Sequence, residues 1–235
     1  HFEKMLYDNA QLASTYLHAW VVTGDARYRA VCERTLDYLL RELALPEGGF
    51  ASSQDADTDG VEGLSFTWTP EEIGAGLDHL LLPFEHGRYV IRGEVDDETR
   101  ARLLALRELR PKPPRDDKAI AGWNGLALAA LAEAGRRLER ADYLAAARRL
   151  GEFLLGPLST PEGRLQRSYN AGRAKGTGYL EDYGDVAHGL IELHVATGEL
   201  RWLAEAGRLA TLAVELFGDP EQGGFFLTPA DGERL

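Results

Sequence analysis

Apolar residues recur at helical spacing in three parts of the chain, and each part is broken once by a short polar link. The first link, Thr23-Gly24-Asp25, has the residue types that stop one helix and cap the next. Within each pair, the second helix carries a single apolar stripe, which is typical of an amphipathic outer helix. This pattern predicts three αα-hairpins. The predicted helices span residues 9–23, 26–44, 121–138, 143–154, 183–197 and 202–216.

The three hairpins are copies of one repeat. The turn Pro46-Glu47-Gly48-Gly49-Phe50 returns at Pro161, 115 residues later, and at Pro220, 174 residues later, with Gln222 inserted in the last copy. Tandem helical hairpins of this kind form a solenoid or a closed ring, in which the first helix of each pair faces inward. Short extended pieces after each turn predict small β-ribbons on one rim. The aromatic residues that keep the same offsets are Tyr28, Tyr143 and Trp202.

Residues 51–117 interrupt this rhythm. Because the first two copies lie about twice as far apart as the last two, we expect a degenerate hairpin-sized segment between them. Within it, Thr69-Pro70 has the composition of a helix start. We also predict a short strand at 88–92 and a helix at 96–109.

The inner helices begin with polar or aromatic pairs that align through the repeat. Helix capping accounts for Asp and Asn at such positions, but aromatic side chains do not cap helices. Carboxylates and amides can hold hydroxyl groups, and aromatic faces stack on the apolar side of a sugar ring. Gathered at one rim of a ring, these groups suit a sugar. The aligned pairs are Asp8-Asn9, Trp123-Asn124 and Asp182-Tyr183.

The loop 52–63 is the most acidic part of the chain. Its D-x-D-x-D-G core resembles the start of a calcium-binding loop, but the twelfth position, which requires Glu, is Phe66. A polar turn and a carboxylate-bearing active-site loop remain as interpretations. The histidines lack the spacing of a metal site, so we predict neither a metal nor another cofactor.

The composition of the chain argues against several classes of function. The net charge of −12 disfavours nucleic-acid binding, and no apolar stretch of membrane-spanning length or signal peptide is visible. We therefore predict a cytoplasmic protein that does not bind membranes. The single cysteine, Cys32, lies on an apolar stripe, which predicts a buried thiol and excludes dithiol redox chemistry within the chain.

Several motifs carry a more specific resemblance. In this order along the chain they resemble the thioredoxin-domain-containing proteins of the spermatogenesis-associated protein 20 type, over essentially the whole sequence. The motifs are the run from His1 to Leu12, Ser52-Ser53-Gln54-Asp55-Ala56-Asp57, Trp68-Thr69-Pro70-Glu71-Glu72-Ile73, Arg115-Asp116-Asp117-Lys118, Trp123-Asn124-Gly125-Leu126-Ala127 and Tyr179-Leu180-Glu181-Asp182-Tyr183.

That family joins an N-terminal thioredoxin-like domain to a six-hairpin toroid similar to N-acylglucosamine 2-epimerases, cellobiose epimerases and six-hairpin glycosidases. The resemblance implies a mainly α fold, a partial (α/α)6 toroid with short β-ribbons on one rim. We expect one toroid domain over residues 1–235, with 51–117 as an irregular, insert-rich segment inside it. Since the thioredoxin-like domain is absent and only three hairpins are visible, we expect a fragment of a longer protein.

The sequence is compatible with two functions. It does not identify the substrate, the stereochemical outcome or the assembly state. The first is carbohydrate binding or epimerase-like or glycosidase-like acid–base chemistry. The second is a non-catalytic helical module that binds a protein or the thioredoxin-like domain. For the first, we expect proton transfer by Asp55 or Asp182 with His1 as partner. The predicted substrate-binding residues are Asp8, Asn9, Asp57, Glu62, Trp68, Asp117, Lys118, Trp123, Asn124, Glu181 and Tyr183.

Overall fold

The computed structural model describes residues 2–74 and 76–232, which divide into two compact units. The helical unit comprises residues 5–53 and 116–232, and the smaller unit comprises residues 2–4 and 54–115. Most of the buried side chains belong to the helical unit. The helices are α1 (Leu6–Thr23), α2 (Ala26–Tyr38, continued by a π-helical turn Leu39–Leu43), α3 (Pro70–Ile73), α4 (Asp97–Glu108), α5 (Ala121–Arg137), α6 (Ala141–Leu155), α7 (Leu180–Thr197) and α8 (Leu200–Phe217).

The strands are short. In the helical unit, β8 and β10 both pair with β9 in antiparallel register. In the smaller unit, β3 pairs with β4 and β5 with β6 as two antiparallel ribbons. The strands are β1 (Lys4–Met5), β2 (Ser53–Gln54), β3 (Asp57–Thr58), β4 (Val61–Glu62), β5 (Leu81–Pro83), β6 (Tyr89–Ile91), β7 (Arg115–Asp116), β8 (Ala119–Ile120), β9 (Gln166–Asn170) and β10 (Arg173–Thr177).

The three predicted hairpins are confirmed as α1–α2, α5–α6 and α7–α8. Their links follow the predicted chemistry, since Gly24 takes a left-handed conformation (φ 72°) and the Asp25 carboxylate accepts a hydrogen bond from the Arg27 N–H. Gly198 ends α7 in the same left-handed conformation as Gly24. This conformation favours glycine because it has no Cβ.

The first helices of the hairpins lie side by side, with α5 between α1 and α7. Near their N-termini, the Tyr7 and Trp123 rings are 4.7 Å apart, and the Gly122 N–H donates to Asp182. Further along, His18 Nε2 lies 2.7 Å from Glu133 Oε2. Contacts at matching depths show that the three helices run parallel. Their leading ends therefore gather on one side of the helical unit, as the repeat predicted.

The turns also obey the repeat. Each outer helix is followed by a glycine-containing turn and a single antiparallel bridge, formed at repeat-equivalent positions in all three copies. The small β features predicted at the repeat ends are thus confirmed. The three bridges join Ala44 to Phe50, Ser159 to Leu165 and Gly218 to Phe225.

The expected degenerate hairpin between the first two copies is wrong. Helix α1 packs directly against α5, so these two hairpins are neighbours in space. The smaller unit instead holds two ribbons, α3 and α4 around a core of its own, formed by Trp68, Ile73 and Leu103. Its local predictions were confirmed, since Thr69 and Glu72 form a capping box and Asp96 caps α4.

Helices α5 and α7 approach each other closely because glycines line their contact. A Cβ on Gly125 would lie 2.5 Å from the Asp185 carbonyl carbon, and one on Gly189 would lie 2.7 Å from the Gly125 carbonyl oxygen. Both contacts are with backbone, which cannot rotate away as a side chain does. The spacing of the second and third hairpins therefore depends on these two glycines.

We expect Gly125→Ala to destabilise the chain by about 1–3 kcal/mol, because the helices must separate to admit the methyl group. The matched control is Gly207→Ala in α8, where a Cβ would meet no atom within 4 Å. That substitution should be neutral or stabilising by up to ~1 kcal/mol through helix propensity. Urea unfolding followed by circular dichroism measures both, and equal effects would contradict the close-packing argument.

The Cys32 thiol is fully buried on α2, and this burial raises its pKa to about 12. Since the thiolate is the reactive form, we expect the native protein not to react with a thiol-specific disulfide reagent at pH 8. The thiol should react fully in 6 M guanidinium chloride. Fast reaction of the folded chain would show that α2 opens readily or packs differently.

Candidate functional site

The leading ends of α1, α5 and α7 form a polar and aromatic surface, which we call the rim. Its aromatic part is Tyr7 on α1 and Trp123 on α5, whose rings meet at 59° and are half-buried. Both side chains therefore keep some ring surface in solvent. Partly exposed aromatic rings can stack against an apolar ligand face.

Asp182 is completely buried at the junction of α5 and α7. Its Oδ1 accepts from the Gly122 N–H at 2.7 Å and from Arg167 Nη1 at 2.8 Å, while Oδ2 accepts from the Tyr179 N–H at 2.8 Å. It thus caps its own helix and the neighbouring one, as the capping interpretation predicted. Burial raises the pKa of this carboxyl, opposed by those donors.

Asp185 lies one turn further along α7 and is half-buried. Burial raises the pKa of its carboxyl to about 6, and the negative charges of Glu181 and Asp182 add to the effect. Its Oδ2 and the Oδ1 of Asp182 both lie 3.1 Å from the position of a Gly122 Cβ. The two carboxyl groups therefore face the same glycine, where a side chain would block their approach.

Arg167 on β9 connects the acidic groups. Its Nη1 contacts Glu181 Oε1 at 2.7 Å and Asp182 Oδ1 at 2.8 Å, and its guanidinium lies 4.8 Å from the centre of the Tyr179 ring. One cation thus offsets part of the charge of three neighbouring carboxyl groups. Sequence reasoning missed both Arg167 and Asp185, because neither aligns with a polar residue in all copies of the repeat.

Two predicted ligand-binding residues hold the structure together instead. The buried Asn124 side chain accepts from the Phe50 N–H at 2.7 Å and donates to the Phe50 and Ile120 carbonyl oxygens. Tyr183 is also buried, where its ring packs on Phe217 and its hydroxyl accepts from the Leu165 N–H. In this structure both side chains join repeat elements and offer no free face.

Other predicted residues surround the rim of the helical unit. Asn9 is half-buried and donates to the Met5 carbonyl oxygen at 2.7 Å, whereas Asp8 is exposed in the first turn of α1. Asp117 and Lys118 are exposed just before β8, and Lys118 Nζ lies 3.2 Å from Asp116 Oδ2.

The remaining predicted residues belong to the smaller unit. Asp57 and Glu62 are exposed on the ribbon formed by β3 and β4. Asp55 is exposed just before this ribbon, and its Oδ1 accepts from the Asp57 N–H at 3.1 Å. Asp59-Gly60 forms the turn with positive φ at both residues, which is the conformation that Asp-Gly favours in two-residue hairpins. The acidic loop is therefore a β-ribbon.

Trp68 in the smaller unit is buried beneath the Arg110 guanidinium, which lies 4.2 Å from the ring centre. His1 lies outside the described residues. Within residues 2–74 and 76–232, no group of three or more His, Cys, Asp or Glu side chains is arranged to hold a metal ion. Among those residues, none of the helices combines the length and apolar character needed to cross a membrane.

Comparison with curated sequences identifies relatives along nearly the whole chain. The sequence is 31% identical to mouse spermatogenesis-associated protein 20 over 98% of its length, and 32% identical to the rat protein over the same share. The resemblance to spermatogenesis-associated protein 20 is confirmed. The chain spans 38% of the length of these relatives. An uncharacterised protein from Caenorhabditis elegans is 25% identical over the full chain, and no protein-family model matches the sequence.

Solved structures with the same fold include enzymes that act on sugars. A sugar epimerase from a ruminal bacterium superposes with a TM-score of 0.67 and 11% identity, covering 96% of this chain and 47% of that one. A cellobiose 2-epimerase from Bacillus thermoamylovorans superposes with a TM-score of 0.66 and 11% identity, covering 96% of this chain and 48% of that one. A family 76 mannosidase from Bacteroides thetaiotaomicron superposes with a TM-score of 0.59 and 12% identity, covering 98% of this chain and 50% of that one. The mainly α, partial (α/α)6 toroid fold is thereby confirmed.

We expect Asp185→Asn to stabilise the protein above pH 6 and to have little effect near pH 4. The folded state holds the Asp185 proton up to about pH 6, whereas an unfolded Asp releases it near pH ~3.9. The stability that this proton supplies is therefore lost as pH rises through 6. After allowance for solvent screening, we expect the substitution to raise the free energy of unfolding by roughly 1 kcal/mol at pH 7.5. This increase corresponds to about 2–4 °C in Tm.

The control for that experiment is Asp8→Asn, which removes an equal charge from the exposed first turn of α1. Thermal unfolding of the three proteins at pH 4 and pH 7.5 gives the comparison. A stability difference between Asp185→Asn and the parent chain that does not change with pH would contradict the raised pKa.

Proposed function

We propose that the rim binds a carbohydrate and that Asp185 transfers a proton to or from it. The observation that carries this proposal is a half-buried carboxyl with a pKa of about 6 on the same surface as two partly exposed aromatic rings. A pKa near neutrality lets a carboxyl donate and accept protons under ordinary conditions. Aromatic faces provide the stacking platform that sugars require.

The neighbours of Asp185 support this role. The Asp182 side chain is fully buried, and three donors bind its two oxygens. We therefore assign Asp182 a positioning role, since it fixes the leading end of α5 relative to α7. Glu181 remains exposed and paired with Arg167, where both can reach hydroxyl groups of a ligand. Asp55, which belongs to the smaller unit, and His1, which lies outside the described residues, stay sequence-based predictions for proton transfer.

The fold is consistent with this chemistry but does not assign it, because one fold hosts many reactions. The structural neighbours are described as sugar epimerases and as a mannosidase. Epimerisation needs a base and an acid on opposite faces of the sugar, and glycoside hydrolysis needs two carboxyl groups. Asp185 alone supports acid–base chemistry over simple binding, because burial raises the pKa of its half-buried carboxyl to about 6.

Ligand binding is tested by thermal shift with cellobiose and mannobiose as probes. A sugar that binds only the folded state raises Tm, by an amount that grows with concentration above Kd. We expect Trp123→Ala to weaken binding about tenfold, equivalent to ~1.4 kcal/mol. Trp20→Ala, at the opposite end of α1, is the matched control and should bind as the parent does. No shift with either sugar at 50 mM would contradict the proposal.

Catalysis is tested separately by incubating each sugar with the protein in heavy water. Proton transfer at carbon during epimerisation incorporates deuterium, and glycoside hydrolysis releases monosaccharides; NMR detects both. We expect one of these changes, with Asp185→Asn slowing it at least ~100-fold, the usual contribution of a general acid or base. Binding without either change would favour the non-catalytic module, for which the engaged state of Asp182 is the supporting observation.

A further inference from the structure

The sheet formed by β8, β9 and β10 has one face on the core of the helical unit and one face in solvent. Strand β9 lies in the middle, and the register places Ala119 of β8 and Ala174 of β10 opposite Tyr169. Ala119 and Tyr169 are buried, and Ala174 packs against the same core. Successive residues of a strand point to opposite faces. The residues on either side of this row therefore point away from the core.

The outward face of the sheet carries cations. Lys175 lies opposite Ser168, and Arg173 lies opposite Asn170. Lys118 immediately precedes the buried first residue of β8, so it lies on the outward side as well. The side chains of Lys118, Arg173 and Lys175 are all exposed. We call these three residues the basic face.

The positive charge of the basic face is only partly offset. Lys118 Nζ lies 3.2 Å from Asp116 Oδ2, but within residues 2–74 and 76–232 no carboxylate forms an ion pair with Arg173 or Lys175. The other outward residues of the three strands are neutral. Charged side chains of either sign discourage pairing at a sheet edge. In a chain with 38 acidic and 26 basic residues, a face whose charged residues are all cations is suited to an anionic ligand.

The basic face lies next to the rim. Strand β8 leads directly into α5, and Trp123 is the third residue of that helix. On the opposite side of the sheet, Arg167 of β9 contacts Glu181 and Asp182. The same sheet thus adjoins both the aromatic and the acidic parts of the rim. A ligand longer than one sugar ring can therefore contact Trp123 and the basic face together.

The spacing of the three cations favours several separate anionic groups over a single one. Arg173 and Lys175 are two residues apart on β10, which corresponds to about 7 Å along the strand. Lys118 lies two strands away from β10, at a distance of about 10 Å across the sheet. A single small anion cannot pair with all three, whereas an extended ligand with repeated charges can.

We propose that the carbohydrate bound at the rim is acidic, with carboxylate groups on successive sugar units that pair with Lys118, Arg173 and Lys175. This inference rests on the function proposed for the rim and adds a substrate class to it. The planar guanidinium of Arg173 matches a carboxylate with two hydrogen bonds. Between the cations, Ser168 and Asn170 provide neutral hydrogen-bonding groups for sugar hydroxyls. An acidic peptide has no hydroxyl groups to use them.

Isothermal titration calorimetry with trigalacturonate tests the proposal. Its methyl ester is the matched ligand, because it keeps the sugar backbone and removes the charge. We expect the acid to bind at least about tenfold more tightly than the ester at low salt. This preference should disappear between about 20 mM and 500 mM NaCl, since salt screens exposed charges. A glutamate tripeptide with blocked termini, which carries the same charge without the sugar, should bind more weakly than trigalacturonate.

Two double variants assign the preference to the basic face. Arg173→Gln with Lys175→Gln should bind the acid and the ester equally, with unchanged affinity for the ester. The matched control is Arg136→Gln with Arg149→Gln, which removes two exposed charges from α5 and α6 and should keep the preference. Trp123→Ala should weaken the binding of both ligands, because both contact the rim. Circular dichroism checks that each variant folds.

The outcomes separate this inference from the function proposed for the rim. Binding of the ester or of cellobiose without a preference for the acid would overturn the acidic substrate class and leave the sugar-binding rim intact. A preference that persists without Arg173 and Lys175 would also overturn it, as would a tripeptide that binds as tightly as trigalacturonate. If the acid, the ester and cellobiose all fail to bind, both proposals are wrong.

Discussion

The contact between α5 and α7 determines how the rest of the helical unit is arranged. It is built from glycines on both helices, so backbone meets backbone and the helices cannot slide or separate without losing it. Close approach brings the leading end of α7 beside that of α5, where Asp182 receives the Gly122 N–H. The same approach places Asp185 against Gly122 and Gly125. The glycine contact between α5 and α7 therefore sets both the spacing of the helices and the positions of the two carboxyl groups.

Two carboxyl groups that lie one turn apart on α7 differ in burial, and this difference separates their roles. Asp182 is fully buried and is tolerated because two N–H groups and a guanidinium satisfy it. Asp185 is only half-buried and receives repulsion from Glu181 and Asp182 in place of donors. Asp182 joins the two helices, while Asp185 is partly exposed to solvent and holds its proton up to about pH 6. Such a division between neighbouring acids is a recurring way of creating an acid–base group.

The hairpins could be predicted from the sequence because they follow from local patterns. The apolar spacing, the Gly24-Asp25 link and the turn glycines each specify short-range structure, and all three copies agree. The order of hairpins in space could not be predicted, since the distance from Phe50 to Ile120 along the chain does not show that Asn124 joins these two residues. Asp185 could not be predicted from the repeat for another reason. Its equivalents, Gln11 and Leu126, are not acidic, so the alignment of the copies does not mark this position as a carboxylate site. The clustering of Glu181, Asp182 and Asp185 on one turn was a better signal, because like charges at that spacing destabilise a helix.

A repeat makes positions equivalent in the backbone without making them equivalent in chemistry. Position 124 is a buried amide that joins two hairpins, while its equivalents are a half-buried Asn9 and a buried Tyr183. Asp8, Trp123 and Asp182 share a position, yet one is exposed, one contacts Tyr7 and one caps two helices. What differs is the neighbouring helix, because among residues 2–74 and 76–232 the helix α5 lies between two inner helices, whereas α1 and α7 each contact one. The role of a repeat residue therefore follows from the element that packs against it.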